Sequence, residues 1–253
     1  IILSNLHVGI ALRLRCGTII NTSDGGGTWQ PQTSGTSESL STVSFVDAQN
    51  GWAGGTNGVI LKTDDGGANW TLQESNTAMD TIKSIHFVDA LTGWAVTLGG
   101  KILHTADGGS VWTDQAGYRA DNMFGIYFVD TLNGWACGRY ATLLHTNDGG
   151  ATWNSQETDA ARSEGLFSIF FYDTSNGWAV GSGPIIIYTS DGGNSWSRGR
   201  IFSGPSMLYS VHFTDAQTGW TSGQNGRIFH TGDGGASWSE QTTETTESLF
   251  SIF

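Results

Sequence analysis

The sequence predicts an all-β fold, a six-bladed β-propeller of four-stranded antiparallel blades, and three observations carry that expectation. The motif Thr-x-Asp-Gly-Gly-x-x-Trp occurs six times, with its aspartate at Asp24, Asp65, Asp107, Asp148, Asp191 and Asp233 and successive spacings of 41, 42, 41, 43 and 42. A Gly-Trp pair occurs five times, at Trp52, Trp94, Trp135, Trp178 and Trp220, each preceded by an aromatic-x-Asp such as Phe45/Asp47 or Phe213/Asp215. The last residues, Leu249-Phe250-Ser251-Ile252-Phe253, repeat Leu166-Phe167-Ser168-Ile169-Phe170. A period near 42 with four short strands per repeat is that of a propeller.

One repeat justifies the elements in order. Leu208 to Phe213 alternates as a strand A, and Asp215 to Gly219 is a turn. Trp220 to Ser222 begins strand B, and Gln224-Asn225-Gly226 is the next turn. Arg227 to Thr231 is strand C, Asp233-Gly234-Gly235 is a third turn, and Ser237 to Gln241 is strand D. Short strands separated by such turn residues build an antiparallel blade. The map gives one domain with blades at about 38–75, 80–116, 121–157, 163–200 and 206–243, and a first blade from 1–33 plus 248–253. Joining the two ends gives a box-to-box spacing of 44, close to the other five. One blade shared between the N- and C-termini latches the ring and removes open sheet edges. The first blade lacks its Gly-Trp and has His7-Val8-Gly9 nearby. A solenoid would call for capping repeats with a different outer face, and the six repeats show none.

Composition narrows the function. Eleven basic residues against 23 acidic ones leave a formal charge of −12, which argues against nucleic acid and anionic membrane surfaces. No apolar run approaches the roughly eighteen residues a membrane span needs. The opening Ile-Ile-Leu-Ser-Asn-Leu-His-Val-Gly-Ile-Ala lacks a basic start and a small-residue cleavage site, so it reads as part of the fold. Cys16 and Cys137 are too few for a disulfide framework, and the repeat map sets them on opposite sides of the ring.

The repeated residues have structural work. An aspartate carboxylate can accept N–H bonds from its own tight turn, and glycine supplies positive φ. Six equivalent carboxylates spread round a rim do not converge on one point, so none is read as catalytic. All 11 tryptophans are used by the six boxes and the five Gly-Trp pairs, which leaves none for a loop platform. His104, His145 and His230 share one repeat position, and His86 and His212 share another. Equivalent positions are held apart by the ring, so no metal site and no cofactor is expected.

The Thr-x-Asp-Gly-Gly-x-x-Trp motif resembles the Asp-box, or BNR repeat, of sialidases and related propellers. The fuller unit, Phe-x-Asp-x-x-x-Gly-Trp-Ala-x-Gly followed by Gly-x-Ile-x-x-Thr-x-Asp-Gly-Gly-x-x-Trp, is similar to the repeat of photosystem II stability and assembly factors. That resemblance covers nearly the whole chain. It implies a non-enzymatic propeller that binds a partner polypeptide, partly through an arginine patch, in an extracytoplasmic setting (secreted, periplasmic or lumenal). Arg139 and Arg227 stand near the repeat position where such arginines are expected. A sialidase would need an arginine triad, a Tyr/Glu nucleophile pair and an acid/base aspartate, and none of the eight arginines matches that triad.

In each blade the D–A and B–C turns lie on one face, and the other face is filled by framework aspartates. Departure from the repeat on the first face gathers at Tyr118, Arg119 and Asp121, at Arg139 and Tyr140, and at Arg162 and Glu164. The corresponding turns elsewhere are Gly55-Thr56-Asn57-Gly58 or Gly223-Gln224-Asn225-Gly226. Arginine and tyrosine are favoured at interface hot spots, so these seven residues are the expected binding site for a protein or peptide. Carbohydrate is the alternative ligand, as in a lectin-like propeller.

Overall fold

The computed structural model describes residues 2–3, 8–13, 17–75, 77, 79–115, 122–158, 160, 163–201 and 207–253, with side chains from residue 17 onward. The chain forms two compact units, residues 1–119 and 120–253, each with three sheets. The first unit holds β1 (Ile2–Leu3), β2 (Val8–Arg13), β3 (Thr18–Thr22) and β4 (Gln30–Gln32) in sheet 1. Sheet 2 is β5 (Leu40–Phe45), β6 (Gly51–Gly55), β7 (Ile60–Thr63) and β8 (Thr71–Gln73). Sheet 3 is β9 (Ile82–Phe87), β10 (Gly93–Thr97), β11 (Ile102–Thr105) and β12 (Thr113–Asp114). The second unit continues with sheet 4, β13 (Met123–Phe128), β14 (Gly134–Gly138), β15 (Leu143–Thr146) and β16 (Asn154–Ser155). Sheet 5 is β17 (Leu166–Phe171), β18 (Gly177–Gly181), β19 (Ile186–Thr189) and β20 (Ser197–Arg198). Sheet 6 departs from the expected four strands. Ahead of its own β22 (Leu208–Phe213), β23 (Gly219–Gly223), β24 (Ile228–Thr231) and β25 (Ser237–Gln241), the short β21 (Arg200–Ile201) pairs parallel to β25.

Register explains the missing Gly-Trp of sheet 1. Gly9 pairs with Thr22 as Gly51 pairs with Thr63, so Gly9-Ile10 takes the Gly-Trp place. The C-terminal Leu249–Phe253 carries no strand assignment. Its Ile252 N–H donates to Ser210 Oγ at 3.2 Å, as the Ile85 N–H of β9 donates to Thr42 Oγ1 of β5 at 3.1 Å.

Aromatic rings bind successive sheets within each unit. Trp52 stacks on Phe87, Trp135 on Phe171 and Trp178 on Phe213, each at 3.5 Å between ring centroids. Each of these indoles also donates to a box carbonyl of the next sheet: Trp52 to Gly108, Trp135 to Gly192 and Trp178 to Gly234. The box tryptophans of the same three sheet pairs meet these phenylalanines edge-on, Trp112 on Phe87 at 90°, Trp196 on Phe171 at 82° and Trp238 on Phe213 at 87°. Large buried rings supply much of the core, although the box indoles Trp112 and Trp196 bury their N–H groups without a hydrogen-bond partner. The histidines of the third strands belong to this packing, with His104 against Trp94 and His145 stacked on Trp135. Burial lowers both imidazole pKa values. Cys137 is a free thiol sealed in the core, its pKa pushed up by burial. No helix among the described residues is long and apolar enough to cross a membrane.

The two ends of every complete sheet are stitched differently. At one end the box meets the first turn, as Gly149 N–H donates to Leu132 O and Gly192 N–H to Ser175 O. At the other end the turn between second and third strands meets the lead-in to the first strand. There Thr56 N–H donates to Ser39 O, Arg139 N–H to Asn122 O and Gln224 N–H to Met207 O.

Candidate functional site

The box aspartates gather at one end of the sheets. Thr146 is buried, and its hydroxyl donates to Asp148 Oδ1 at 2.7 Å while accepting the Gly150 N–H at 2.8 Å. Asp148 Oδ1 then accepts the Thr152 N–H at 2.8 Å and Oδ2 accepts the Thr152 hydroxyl. Gly149 and Gly150 sit at φ 71° and 88°, a conformation glycine alone adopts without strain. The hydroxyl and N–H of Thr152, helped by the hydroxyl of Thr146, hold the Asp148 carboxyl at about 2. In Asp65 the Asn69 N–H leads, with the same result of about 2. A general acid needs a raised pKa, and these carboxylates have the opposite. Among the described residues no group of three or more histidines, cysteines or acidic residues is placed to hold a metal ion.

The opposite end of sheet 4 carries the turn Arg139–Ala141, a single 3-10 turn between β14 and β15. Tyr140 stands at φ 58°, ψ 35° and Ala141 at φ 55°. Sheets 2 and 6 place Asn57-Gly58 and Asn225-Gly226 in that backbone, at φ 55° and 71° and at φ 60° and 72°. Asparagine and glycine visit the left-handed region readily, whereas other L-residues pay roughly 1–2 kcal/mol. A tyrosine and an alanine held there in succession are strained. The lead-in to sheet 5 supports them, since the Ala141 N–H donates to Glu164 O at 2.7 Å. The turn is closed by Thr142, whose hydroxyl and N–H both donate to Arg139 O. Tyr140 is 47% exposed, and the Arg139 guanidinium lies 4.7 Å from its ring. Such a cation–π contact orders two side chains that would otherwise be free.

Of the seven expected binding residues, Arg139, Tyr140 and Glu164 are therefore brought together around one turn. Glu164 joins by its backbone, because its carboxylate forms a 2.6 Å ion pair with Arg198 of β20. Tyr118, Arg119, Asp121 and Arg162 lie outside the described residues. The second arginine expected of a patch, Arg227, just ahead of β24, makes two bonds to Glu240 of β25 at 2.7 and 3.0 Å and belongs to the framework. Sequence reasoning passed over Ala141, although the loss of an Asn-Gly pair was a readable sign. It also passed over Arg198 as the partner of Glu164. Those two are 34 residues apart, one in the lead-in to sheet 5 and the other in its last strand, with no local spacing to join them.

Six sheets of one repeat, each closed by the same turn, make this a β-propeller of BNR-type repeats. The profile of the family described as photosynthesis system II assembly factor YCF48 matches residues 11–72, 28–117 and 117–206, and the chain belongs to that family. Among solved structures, YCF48 bound to D1 peptide is 22% identical, with a TM-score of 0.73 over 93% of this chain and 77% of that one. YCF48 from Cyanidioschyzon merolae is 20% identical, with a TM-score of 0.75 over 96% and 83%. The GH74 xyloglucanase from Xanthomonas campestris is 10% identical, with a TM-score of 0.78 over 95% of this chain and 44% of the enzyme. These likenesses show the propeller fold. No curated protein matches the sequence.

Proposed function

We propose that this propeller is a non-enzymatic, assembly-type binding protein that recognises a segment of a partner polypeptide on the face bearing Arg139 and Tyr140. The observation that carries the reading is the strained Tyr140-Ala141 pair, which keeps an arginine and a tyrosine presented where other sheets use Asn-Gly. Backbone strain persists where surroundings over-determine it, and it gathers at ligand clamps. Membership of the YCF48 family, and a relative solved with a D1 peptide, supports a peptide ligand. Tyr118, Arg119, Asp121, Arg162 and Glu164 complete the site in this reading. An extracytoplasmic location accords with the family.

Titration of a fluorescent D1 peptide tests the reading. Arg139→Ala is expected to weaken binding by about 1 kcal/mol or more, about fivefold. Its effect on stability should stay within about 0.5 kcal/mol, as for exposed loop residues. Unchanged affinity would return the turn to ordinary surface, and no binding by the unaltered chain would remove this peptide class.

The same reading takes Leu249–Phe253 as the first strand of the blade that contains β1 to β4, where β1 already pairs with β2 through Ile2–Gly9 and Leu3–Val8. It is supported by the Ser210–Ile252 bonds, which repeat the Thr42–Ile85 bridge between β5 and β9. Removal of residues 247–253 should then leave an unpaired strand edge and promote self-association, read by size-exclusion chromatography. A monodisperse truncated chain of unchanged stability would contradict it.

A further inference from the structure

A second surface begins beside the same turn. In sheets 2 to 6 the pairing of the first strand with the second shifts register at the second residue, a β-bulge at Ser41, Lys83, Phe124, Phe167 and Tyr209. Bulges re-aim a side chain, and they recur beside functional sites. In the first unit this strand position is polar, with Ser41 and Lys83, and the Ser41 hydroxyl turns back to Ile82 O at 2.6 Å. In the second unit it is aromatic throughout. Phe124 meets Phe167 at 5.5 Å, Phe167 meets Tyr209 at 6.1 Å, and Tyr209 meets Phe250 at 4.8 Å between ring centroids.

These four rings are not core. The buried clusters of this unit are built from other residues, such as Trp135, Ile169 and Phe171 or Trp178, Val211 and Phe213. Phe124, Phe167 and Tyr209 are half-buried, and Phe250 is 56% exposed. Gly165 leaves Phe167 room, since a side chain there would come within 3.3 Å of that ring. The track starts at the Arg139 turn, whose N–H is bonded to the carbonyl of Asn122, two residues before Phe124.

We propose that Phe124, Phe167, Tyr209 and Phe250 form a track that takes alternate apolar side chains of an extended partner segment, with an acidic group of that segment at Arg139. The proposal rests on the peptide-binding reading and adds the chemistry of the peptide. An extended chain rises about 3.3 Å per residue, so side chains two apart stand about 6.6 Å from each other, close to the spacing of the rings. Neighbouring rings are inclined at 76°, 26° and 32°, so they offer no continuous flat platform on which a sugar chain could stack. Arg139 supplies a cation at one end of the track in a chain whose formal charge is −12, which favours a carboxylate at that end.

The test is a selection from a phage-displayed library of random linear peptides on the intact chain. Titration of a fluorescent copy of the selected peptide follows, against Phe167→Ser, Phe250→Ser and Arg139→Ala. Selected sequences should alternate apolar residues beside an acidic one, and each serine variant should weaken binding about tenfold. Phe250 is exposed at the end of the track, so Phe250→Ser keeps the test sound should Phe167→Ser fold poorly. Peptides without the alternation, or affinities unchanged by both serine variants, overturn the track. In that event loss of binding in Arg139→Ala alone would leave the peptide reading standing. Selection of no peptide, or binding only to a glycan array, would overturn both.

Discussion

Strand β15 ends at Thr146, where the box of sheet 4 folds as it does in all six sheets. Its other end leaves the Arg139–Ala141 turn, whose backbone matches sheets 2 and 6 while its residues do not. At the box, the residues are the ones the backbone asks for: a buried hydroxyl, an acceptor carboxylate and two left-handed glycines. At the turn, the backbone is kept although its residues resist it. Repetition thus marks positions where local geometry dictates the side chain, and strained departure marks positions where something else does.

The largest effect expected from this contrast is on acid stability. All six box aspartates and the five turn aspartates Asp47, Asp89, Asp130, Asp173 and Asp215 have carboxyl pKa values below the ordinary one. In Asp89, Asp130 and Asp173 partial burial opposes the charge, and hydrogen bonds outweigh it. A depressed carboxyl pKa stabilises the fold above its unfolded value of about 3.9 and loses that contribution as pH falls toward the folded value. Denaturant midpoints should therefore hold above about pH 5 and fall steeply between about pH 4 and pH 2. A midpoint insensitive to pH in that window would mean that the box carboxylates contribute nothing.

Next comes Thr146→Val, which keeps the shape and removes the hydroxyl on which the box turns. Leaving the Gly150 N–H without its acceptor in a buried place should cost about 1–3 kcal/mol in chemical denaturation. No change would show that water replaces the hydroxyl there.

The smallest effect sharpens the contrast most. Tyr140→Asn combined with Ala141→Gly restores the residues of sheets 2 and 6, and should raise stability by about 1 kcal/mol through relief of left-handed strain. The same double variant should bind peptide more weakly. A gain in stability with full binding would separate the strain from the site.

Much of the fold was legible because the period, the turns and the ring residues are local and repeated. The expected strands at 208–213 and 237–241 agree with β22 and β25 to the residue. What escaped has a physical reason in each case. β21 pairs with a strand 37 residues further on, and its own two residues carry no strand signature. The threonine of the box was given no role by the motif, yet its hydroxyl is the buried hub. The aromatic track was hidden by the bulge, which breaks the period of two by which a strand's faces are told apart. The ion pair of Glu164 with Arg198 spans turn and strand with no sequence rule to announce it.

The bonds from tryptophan to the next sheet's box run in one direction along the chain. Trp135 of sheet 4 depends on Gly192 of sheet 5, and Trp178 of sheet 5 on Gly234 of sheet 6. A repeat protein's cooperativity resides in such nearest-neighbour couplings. Damage to one box therefore propagates backward: a lesion in the box of sheet 5 unseats the indole of sheet 4, and amide protection should fade first in the sheet that precedes the fault.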